Sequence, residues 1–318
     1  MTRILVTGGA GYIGAVAVHQ LLEKGYEVSI LDDLSTGHRE SIDSRAKFVQ
    51  GSILDLDVIV DALKSCDGVM HFAGKSLVGE SVLKPEMYME NNVGGSRNLL
   101  DAMKIVGVKK IVFSSSAATY GSPDESPITE KITTNPTNPY GQSKADVDAL
   151  LALRSAIDGF AAISLRYFNV AGALKTNSGW LAEHHSPETH LIPNVLKAND
   201  ANPVKIFGTD WDTPDGTCIR DYVHVVDLIN AHILAFEKLV SPGHEIVNLG
   251  SGSGYSVLQV ISTASQVLGR TIPYLLDDRR AGDPATLIAS IEKAELFLHW
   301  KPERNLEWMI RDAALSLS

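Results

Sequence analysis

Two cysteines, Cys66 and Cys218, are all that the 318 residues contain. They cannot make a disulfide framework, and such usage fits a reducing compartment. Positive charge is also in deficit: 28 Lys and Arg against 38 Asp and Glu leave a formal net charge of −10. That balance argues against nucleic acid or an anionic membrane surface as the main partner. Any bound anion must therefore be captured by local basic groups. No uninterrupted apolar run is long enough to span a bilayer. No secretory leader is visible, because a strand-like run starts at once and reaches glycine at Gly8. The expected location is the cytoplasm. Internal repeats and low-complexity tails are absent too. The apolar content of 44% with 21% charged residues is ordinary for a globular protein of roughly two domains or one large α/β unit.

Glycine is placed with purpose. Arg3 to Val6 reads as a short strand, followed by Thr7-Gly8-Gly9-Ala10-Gly11-Tyr12-Ile13-Gly14 and a helical pattern through Val16, Val18, Leu21 and Leu22 to Gly25. A second strand, Glu27 to Leu31, ends at Asp32-Asp33. A strand–turn–helix–strand unit with glycines in the turn is the setting of a dinucleotide fingerprint. The glycines let backbone N–H groups approach a pyrophosphate at the helix N-terminus. A carboxylate at the end of the second strand binds the adenosine ribose and repels a 2′-phosphate, so NAD is expected over NADP.

The alternation continues through strands at Lys47 to Gln50, Gly68 to Phe72 and Lys109 to Ser114, with helical patterns at Val58 to Leu63 and Met87 to Val106. Such an order implies a Rossmann-type, doubly wound parallel sheet covered by helices on both faces. Ligands sit beyond the carboxyl ends of these strands. The turns His71-Phe72-Ala73-Gly74 and Ser114-Ser115-Ser116 are accordingly expected to line a cofactor cleft. Ala162 to Phe168 is a further strand. From Ala171 the texture shifts to Gly, Pro, Asn and His with shorter elements: a strand at Val204 to Phe207, a turn at Asp212 to Gly216, helices at Val226 to Leu239, Val257 to Leu268 and Leu306 to Ala314, and a strand at Glu245 to Leu249. The expected domains are 1–170, with a returning segment near 219–249, and a smaller α/β domain over 171–318.

Chemistry is concentrated in Pro139-Tyr140-Gly141-Gln142-Ser143-Lys144, which opens a helical pattern. Residues four apart share a helix face, so a phenol and an ammonium lie side by side. A free phenol, with a pKa near ~10, is a poor base at neutral pH. A fixed cation nearby favours the phenolate, which makes Tyr140 a candidate general acid/base.

Thr7-Gly8-x-x-Gly11-x-x-Gly14 with Ser116 and Tyr140-x-x-x-Lys144 resembles the extended short-chain dehydrogenase/reductase superfamily. Within it, Val78-Gly79-Glu80-Ser81, Ser114-Ser115-Ser116-Ala117, Arg166-Tyr167-Phe168-Asn169, Arg220-Asp221-Tyr222-Val223-His224-Val225, Asn248-Leu249-Gly250 and Arg280-Ala281-Gly282-Asp283 are similar to the UDP-glucose 4-epimerases. The resemblance spans almost the whole chain. It implies NAD as cofactor, UDP-glucose and UDP-galactose as substrates, and a second domain that binds the nucleotide-sugar. It also implies a homodimer, with the helices Met87 to Val106 and Asp146 to Ile157 pairing with their symmetry mates. Tyr140, Lys144 and Ser116 would be catalytic, with Lys144 on the nicotinamide ribose. The remaining cofactor residues would be Gly8, Gly11, Tyr12, Ile13, Gly14, Asp32, Asp33, Ser52, Ile53, Phe72, Ala73, Gly74, Asn91, Ser114 and Phe168. Arg220 and Arg280 would hold the diphosphate, Asn169 the phosphates, and Phe207 and Tyr222 the uracil. His190, Leu191, Asp283 and Leu287 complete the implied substrate contacts, Leu287 beside the sugar's 2-position. Three positions depart from the pattern: Ser52 stands where the family has an aspartate, Lys75 comes one residue early, and His190 replaces an asparagine of some members.

Other readings are weaker. A 4,6-dehydratase of this superfamily carries an Asp-Glu pair where Ala117-Ala118 stand, and a non-catalytic NAD sensor commonly loses the tyrosine or lysine kept here. A decarboxylase of the same superfamily is the remaining relative. His184, His185 and His190 lack the cysteines or fixed spacing of a zinc site. Asp210, Asp212 and Asp215 lack the glycine of a calcium loop. No metal is expected, and Gly250 to Gly254 reads as a turn rather than a second dinucleotide site.

Overall fold

Strand β1 (Arg3–Thr7) carries Ile4, Leu5 and Val6, all without solvent contact. A strand buried on both faces needs such a continuous apolar run. The computed structural model describes residues 1–184, 188–280 and 282–317; His185 and Ala281 lie outside the described residues. From β1 the chain proceeds through α1 (Tyr12–Glu23), β2 (Glu27–Asp32), β3 (Lys47–Gln50), α2 (Leu56–Leu63), β4 (Gly68–His71), α3 (Val78–Leu83) and α4 (Pro85–Tyr88). A π-helical turn at Met89–Gly94 leads into α5 (Gly95–Val106), then β5 (Lys110–Ser116), a 3₁₀ turn at Ala117–Tyr120, α6 (Pro139–Asp158) and β6 (Ala161–Tyr167). Next come β7 (Asn169–Ala171), β8 (Leu174–Thr176), β9 (Gly179–Leu181), α7 (Leu191–Lys197), β10 (Val204–Phe207), β11 (Ile219–Arg220) and β12 (Tyr222–His224). The last elements are α8 (Val225–Glu237), β13 (Gly243–Leu249), β14 (Tyr255–Ser256), α9 (Val257–Leu268), β15 (Tyr274–Asp277), β16 (Thr286–Leu287) and α10 (Leu306–Leu315).

Two units emerge. The first comprises 1–121, 136–166 and 229–247, and the second 122–135, 167–228 and 248–317. The main sheet has seven strands in the order β13-β6-β5-β4-β1-β2-β3, the doubly wound arrangement whose order reverses beside β1. Pairs β1–β2, β1–β4, β2–β3 and β4–β5 are parallel, with Val6 opposite Ile30 and Met70. Leu5, Leu31, Ile59, Leu63, Val69, Leu99, Met103 and Phe113 join in one core that glues α2 and α5 to the sheet. The second unit has its own core, centred on Val195, Ile206, Val260, Ile261, Met309 and Ile310. No helix among the described residues is long and apolar enough to cross a membrane.

Most strand and helix readings find their elements, with one notable change. The pattern from Met87 to Val106 is not one regular helix: α4 and α5 are joined through the π turn. An extra residue in a helical turn widens it, and such turns recur at functional sites. Helices α3 and α7 have no counterpart in the sequence reading, because six and seven residues are too few to display a period.

Candidate active site

In the first unit, Gly8 has φ 72° and a Cβ there would lie 2.6 Å from the Ala73 nitrogen. A Cβ on Gly14 would overlap the Gly8 carbonyl. Both positions therefore need glycine, for the turn and for the close approach of strand and helix. No side chain caps α1, whose N-cap is Gly11, with Tyr12, Ile13 and Gly14 forming the first turn. This backbone cradle fits a dinucleotide pyrophosphate. At the end of β2 the acidic pair divides. Asp32 is 8% exposed, and its carboxylate accepts from the backbone N–H groups of Ala10 at 2.9 Å and Leu34 at 2.8 Å. Burial pushes Asp32 above the usual carboxylate range while these two bonds pull it back. Asp33 is exposed and accepts from the Ser35 N–H.

The segment after β4 is fixed by buried polar groups. Thr7 Oγ1 meets His71 Nδ1 at 2.7 Å, and it also accepts from the Ala73 N–H at 3.3 Å. The Phe72 ring lies 4.8 Å from that of His232. Asn92, in the π turn, was not singled out from sequence. Its carboxamide accepts from Lys75 N–H at 2.8 Å and donates to Lys75 O and to Ser143 Oγ, next to Gly74. Asn91 donates to Asn92 Oδ1. The clue was an asparagine pair inside a helical pattern, which favours local backbone bonding over helix. Ser52 caps the Leu54 N–H, and Ile53 packs into the core.

Helix α6 starts where Asn138 caps the Gly141 N–H and Pro139 occupies the first turn, a favoured combination. Its first turns present Tyr140 and Lys144 to the end of β5. Lys144 Nζ donates to Ser114 O at 2.7 Å and lies 4.8 Å over the Phe113 ring and 5.9 Å from the Tyr140 ring centre. Ser116, at 8% exposure, closes β5, its Oγ accepting from the Ala118 N–H. Ser114 Oγ meets His232 Nε2 at 3.1 Å. Burial pushes the Tyr140 phenol above its ordinary value, and the Ser116 hydroxyl pulls it down. The Tyr140–Lys144 spacing predicts a lowered phenol; desolvation outweighs it, because the ammonium sits beneath the ring and is itself drawn to a carbonyl. Burial brings Lys144 down to about 8, against the attraction of Asp148.

In the second unit, four of the implied substrate residues, Asn169, Arg220, Tyr222 and Leu287, stand around Asp221, which has no solvent exposure. Its carboxylate accepts five hydrogen bonds: from the N–H groups of Tyr222, Ser251, Gly252 and Ala289 and from Ser251 Oγ. Its backbone N–H donates to Leu287 O, and its carbonyl accepts from both the N–H and the carboxamide of Asn169. Arg220 lies opposite Leu287 in the β11–β16 register, and its guanidinium stands 3.8 Å from Asp283. Arg280 stacks 3.8 Å over the Phe207 ring. Tyr222 is buried, which raises its phenol. The Phe168 N–H donates to Leu249 O. Leu287 is half-buried and stands outside the unit's core. The turn 250–254 wraps the Asp221 carboxylate.

His190 precedes α7, which begins at Leu191, without capping it. Its Nδ1 lies 2.9 Å from Glu183 and 3.0 Å from Glu188. Burial opposes its charge, but these two carboxylates outweigh that and push His190 up to about 10. Among the described residues these three bring donor atoms within 4.8 Å of one another, an ion triad rather than a set of three histidines. Asp210 pairs with Arg279, and Asp215 accepts from Thr217 and Ser256.

The family described as "NAD dependent epimerase/dehydratase family" matches residues 4–250. The chain is 50% identical over 314 residues to a UDP-glucose 4-epimerase of Corynebacterium glutamicum, covering 98% of this chain and 94% of that protein. It is 50% identical over 317 residues to one of Halalkalibacterium halodurans, covering 98% and 94%. Among solved structures, the UDP-glucose 4-epimerase of Brucella ovis in complex with NAD superposes with TM-score 0.94 at 41% identity, over 99% of this chain and 98% of that one. That of Bifidobacterium longum in complex with NAD+ and UDP gives 0.90 at 38%, over 98% and 97%.

Proposed function

The chain belongs to the NAD dependent epimerase/dehydratase family, and from that premise we propose that Tyr140, Lys144 and Ser116 carry the NAD-dependent 4-epimerisation of UDP-glucose and UDP-galactose. The observation that supports it most is the placement of the Tyr140 phenol over the Lys144 ammonium at the end of β5, beside Ser116. NAD, held over the Gly8–Gly14 turn and Asp32, supplies the acceptor that takes the C4 hydride and gives it back. Tyr140 accepts the proton of the 4-hydroxyl and returns it to the same oxygen after the 4-keto sugar has rotated, so that the hydride comes back to the opposite face of C4. Lys144 stabilises the phenolate by its charge, and Ser116 donates to the reacting oxygen. Arg220 and Arg280 hold the diphosphate, for which planar guanidinium forks are suited; Asn169, Phe207 and Tyr222 complete the UDP contacts. The cycle has no net redox, so the same NAD serves turnover after turnover.

The direct test is to incubate the purified protein with UDP-galactose without added NAD. UDP-glucose should accumulate to equilibrium; protein that retains NAD and forms none would overturn the reading.

Leu287 sets the sugar's room at the 2-position. Pockets discriminate bulk by about one to three kcal/mol per methylene-sized change. Leu287→Ala is expected to raise the rate on UDP-N-acetylgalactosamine relative to UDP-galactose, and Leu287→Tyr to suppress it. A ratio that stays fixed across the three proteins ends the gatekeeper role.

The protein acts as a homodimer in the cytoplasm. Ile105 on α5 and Leu153 and Ile157 on α6 are 63%, 56% and 66% exposed, apolar side chains on both helices of the kind an isologous helix bundle would cover. Light scattering at micromolar concentration should give twice the 34.3 kDa chain mass; the mass of one chain refutes it.

A further inference from the structure

One buried carboxylate has no part in that mechanism. Asp148 lies one turn beyond Lys144, so Tyr140, Lys144 and Asp148 form a line along α6. Its side chain is 4% exposed, as is that of its partner Arg166. Oδ2 accepts from Ser115 Oγ at 3.0 Å and from Arg166 Nε at 2.9 Å, while Oδ1 is buried without a hydrogen-bond partner. A buried ion pair is weak evidence for stability, since an apolar pair of similar volume often serves as well.

Its neighbours say what it does. Ser115 stands between Ser114, whose carbonyl receives Lys144 Nζ, and Ser116. The Ser115–Asp148 bond therefore clamps the end of β5 to α6 in the middle of the reactive run. The groups facing Lys144 are Tyr140 and Asp148 on its own helix and His71 on β4; Arg166 on β6 stands behind Asp148 and over the Tyr120 ring. His71 adds no positive charge there, because burial first and Lys144 second hold it down to about 3. Among these groups, Asp148 is the one that favours the charged form of Lys144.

We propose that Asp148 is a positioning residue for the epimerisation: it fixes the register of α6 on β5 and keeps Lys144 charged beneath Tyr140, shielding it from Arg166. The inference rests on the reading of Tyr140 and Lys144 as an acid–base pair.

The experiment compares pH profiles of kcat and KM for UDP-galactose in NAD-loaded wild type, Asp148→Asn, Asp148→Glu and Tyr140→Phe. Asp148→Asn should lower kcat by about 10- to 100-fold, the scale of a small misplacement. Its KM should stay within about 3-fold, as for an interaction made only in the transition state. Its whole profile should move acidward by about one pH unit, because Lys144 then gives up its proton more readily. Asp148→Glu should bring the profile back. A wild-type kcat and profile in Asp148→Asn, whatever its melting temperature, overturns the proposal. If Asp148→Asn does not fold, Ser115→Ala decides: it keeps the ion pair and cuts the clamp, so kcat should fall by about 10-fold at unchanged KM, and an unchanged kcat overturns the proposal. Wild-type turnover in Tyr140→Phe would instead remove the base assignment on which the inference rests.

Discussion

Replacing Tyr140 by Phe should leave NAD bound and lower turnover by about two to four orders of magnitude, the range for a lost general acid/base. Only one oxygen is removed, so the core and the Gly8–Gly14 turn are untouched. The expected pH dependence follows from two opposed shifts. Burial raises the phenol, and burial lowers Lys144 to about 8. Interacting groups lose their protons as a pair, not singly. The active form is the one in which the pair has lost one proton and the lysine keeps its own. The rate should thus rise with pH as the first proton leaves and fall as the second leaves. Lys144→Ala removes the cation, so the phenol ionises at higher pH and the rising limb moves upward. Near-normal turnover in Tyr140→Phe takes Tyr140 out of the mechanism; an unmoved profile in Lys144→Ala assigns Lys144 to binding alone.

Asp221→Ala should be the most damaging substitution in the second unit. Four backbone N–H groups and a serine hydroxyl lose their common acceptor at once. A hydrogen bond to a charged group contributes about 1.5–3 kcal/mol, and a buried donor left unpaired costs about 1–3 kcal/mol. Even if the 250–254 turn opens to water, a loss of about 4 kcal/mol or more is expected, which is roughly a 10 °C fall in melting temperature for a domain of this size. The same hub aligns Arg220, Tyr222, Asn169 and Leu287, so UDP affinity should fall with it while NAD remains bound. A melting temperature and UDP affinity equal to wild type would show that the five bonds are dispensable.

What was legible in the sequence is what short range encodes. The Gly8–Gly14 turn, the apolar strands and the Tyr140–Lys144 spacing are each set by residues within one or two turns, and the structure places them where that spacing requires. The sign of the Tyr140 shift was not legible, since it depends on desolvation by distant segments. Neither was Asp221 as a hub: its partners Ser251 and Ala289 lie 30 and 68 residues away. Two-residue strands such as β11 and β16 carry no period, and only the tertiary bonds define them. Asn92 is intermediate, visible as a polar pair in a helical stretch but assignable only through Lys75 and Ser143.

The strand order also governs how the protein is made. Strand β6 is complete at Tyr167, but β13, its neighbour on the outer side, ends at Leu249. A ribosome adding ~5–20 residues per second needs roughly 4 to 16 seconds for the intervening stretch. Through that interval the nascent sheet presents the unpaired backbone of an apolar strand, and such an edge invites pairing with other chains. The interval ends when β13 docks. Slower translation between these two strands should therefore lengthen the exposure of that edge and lower the yield of folded protein.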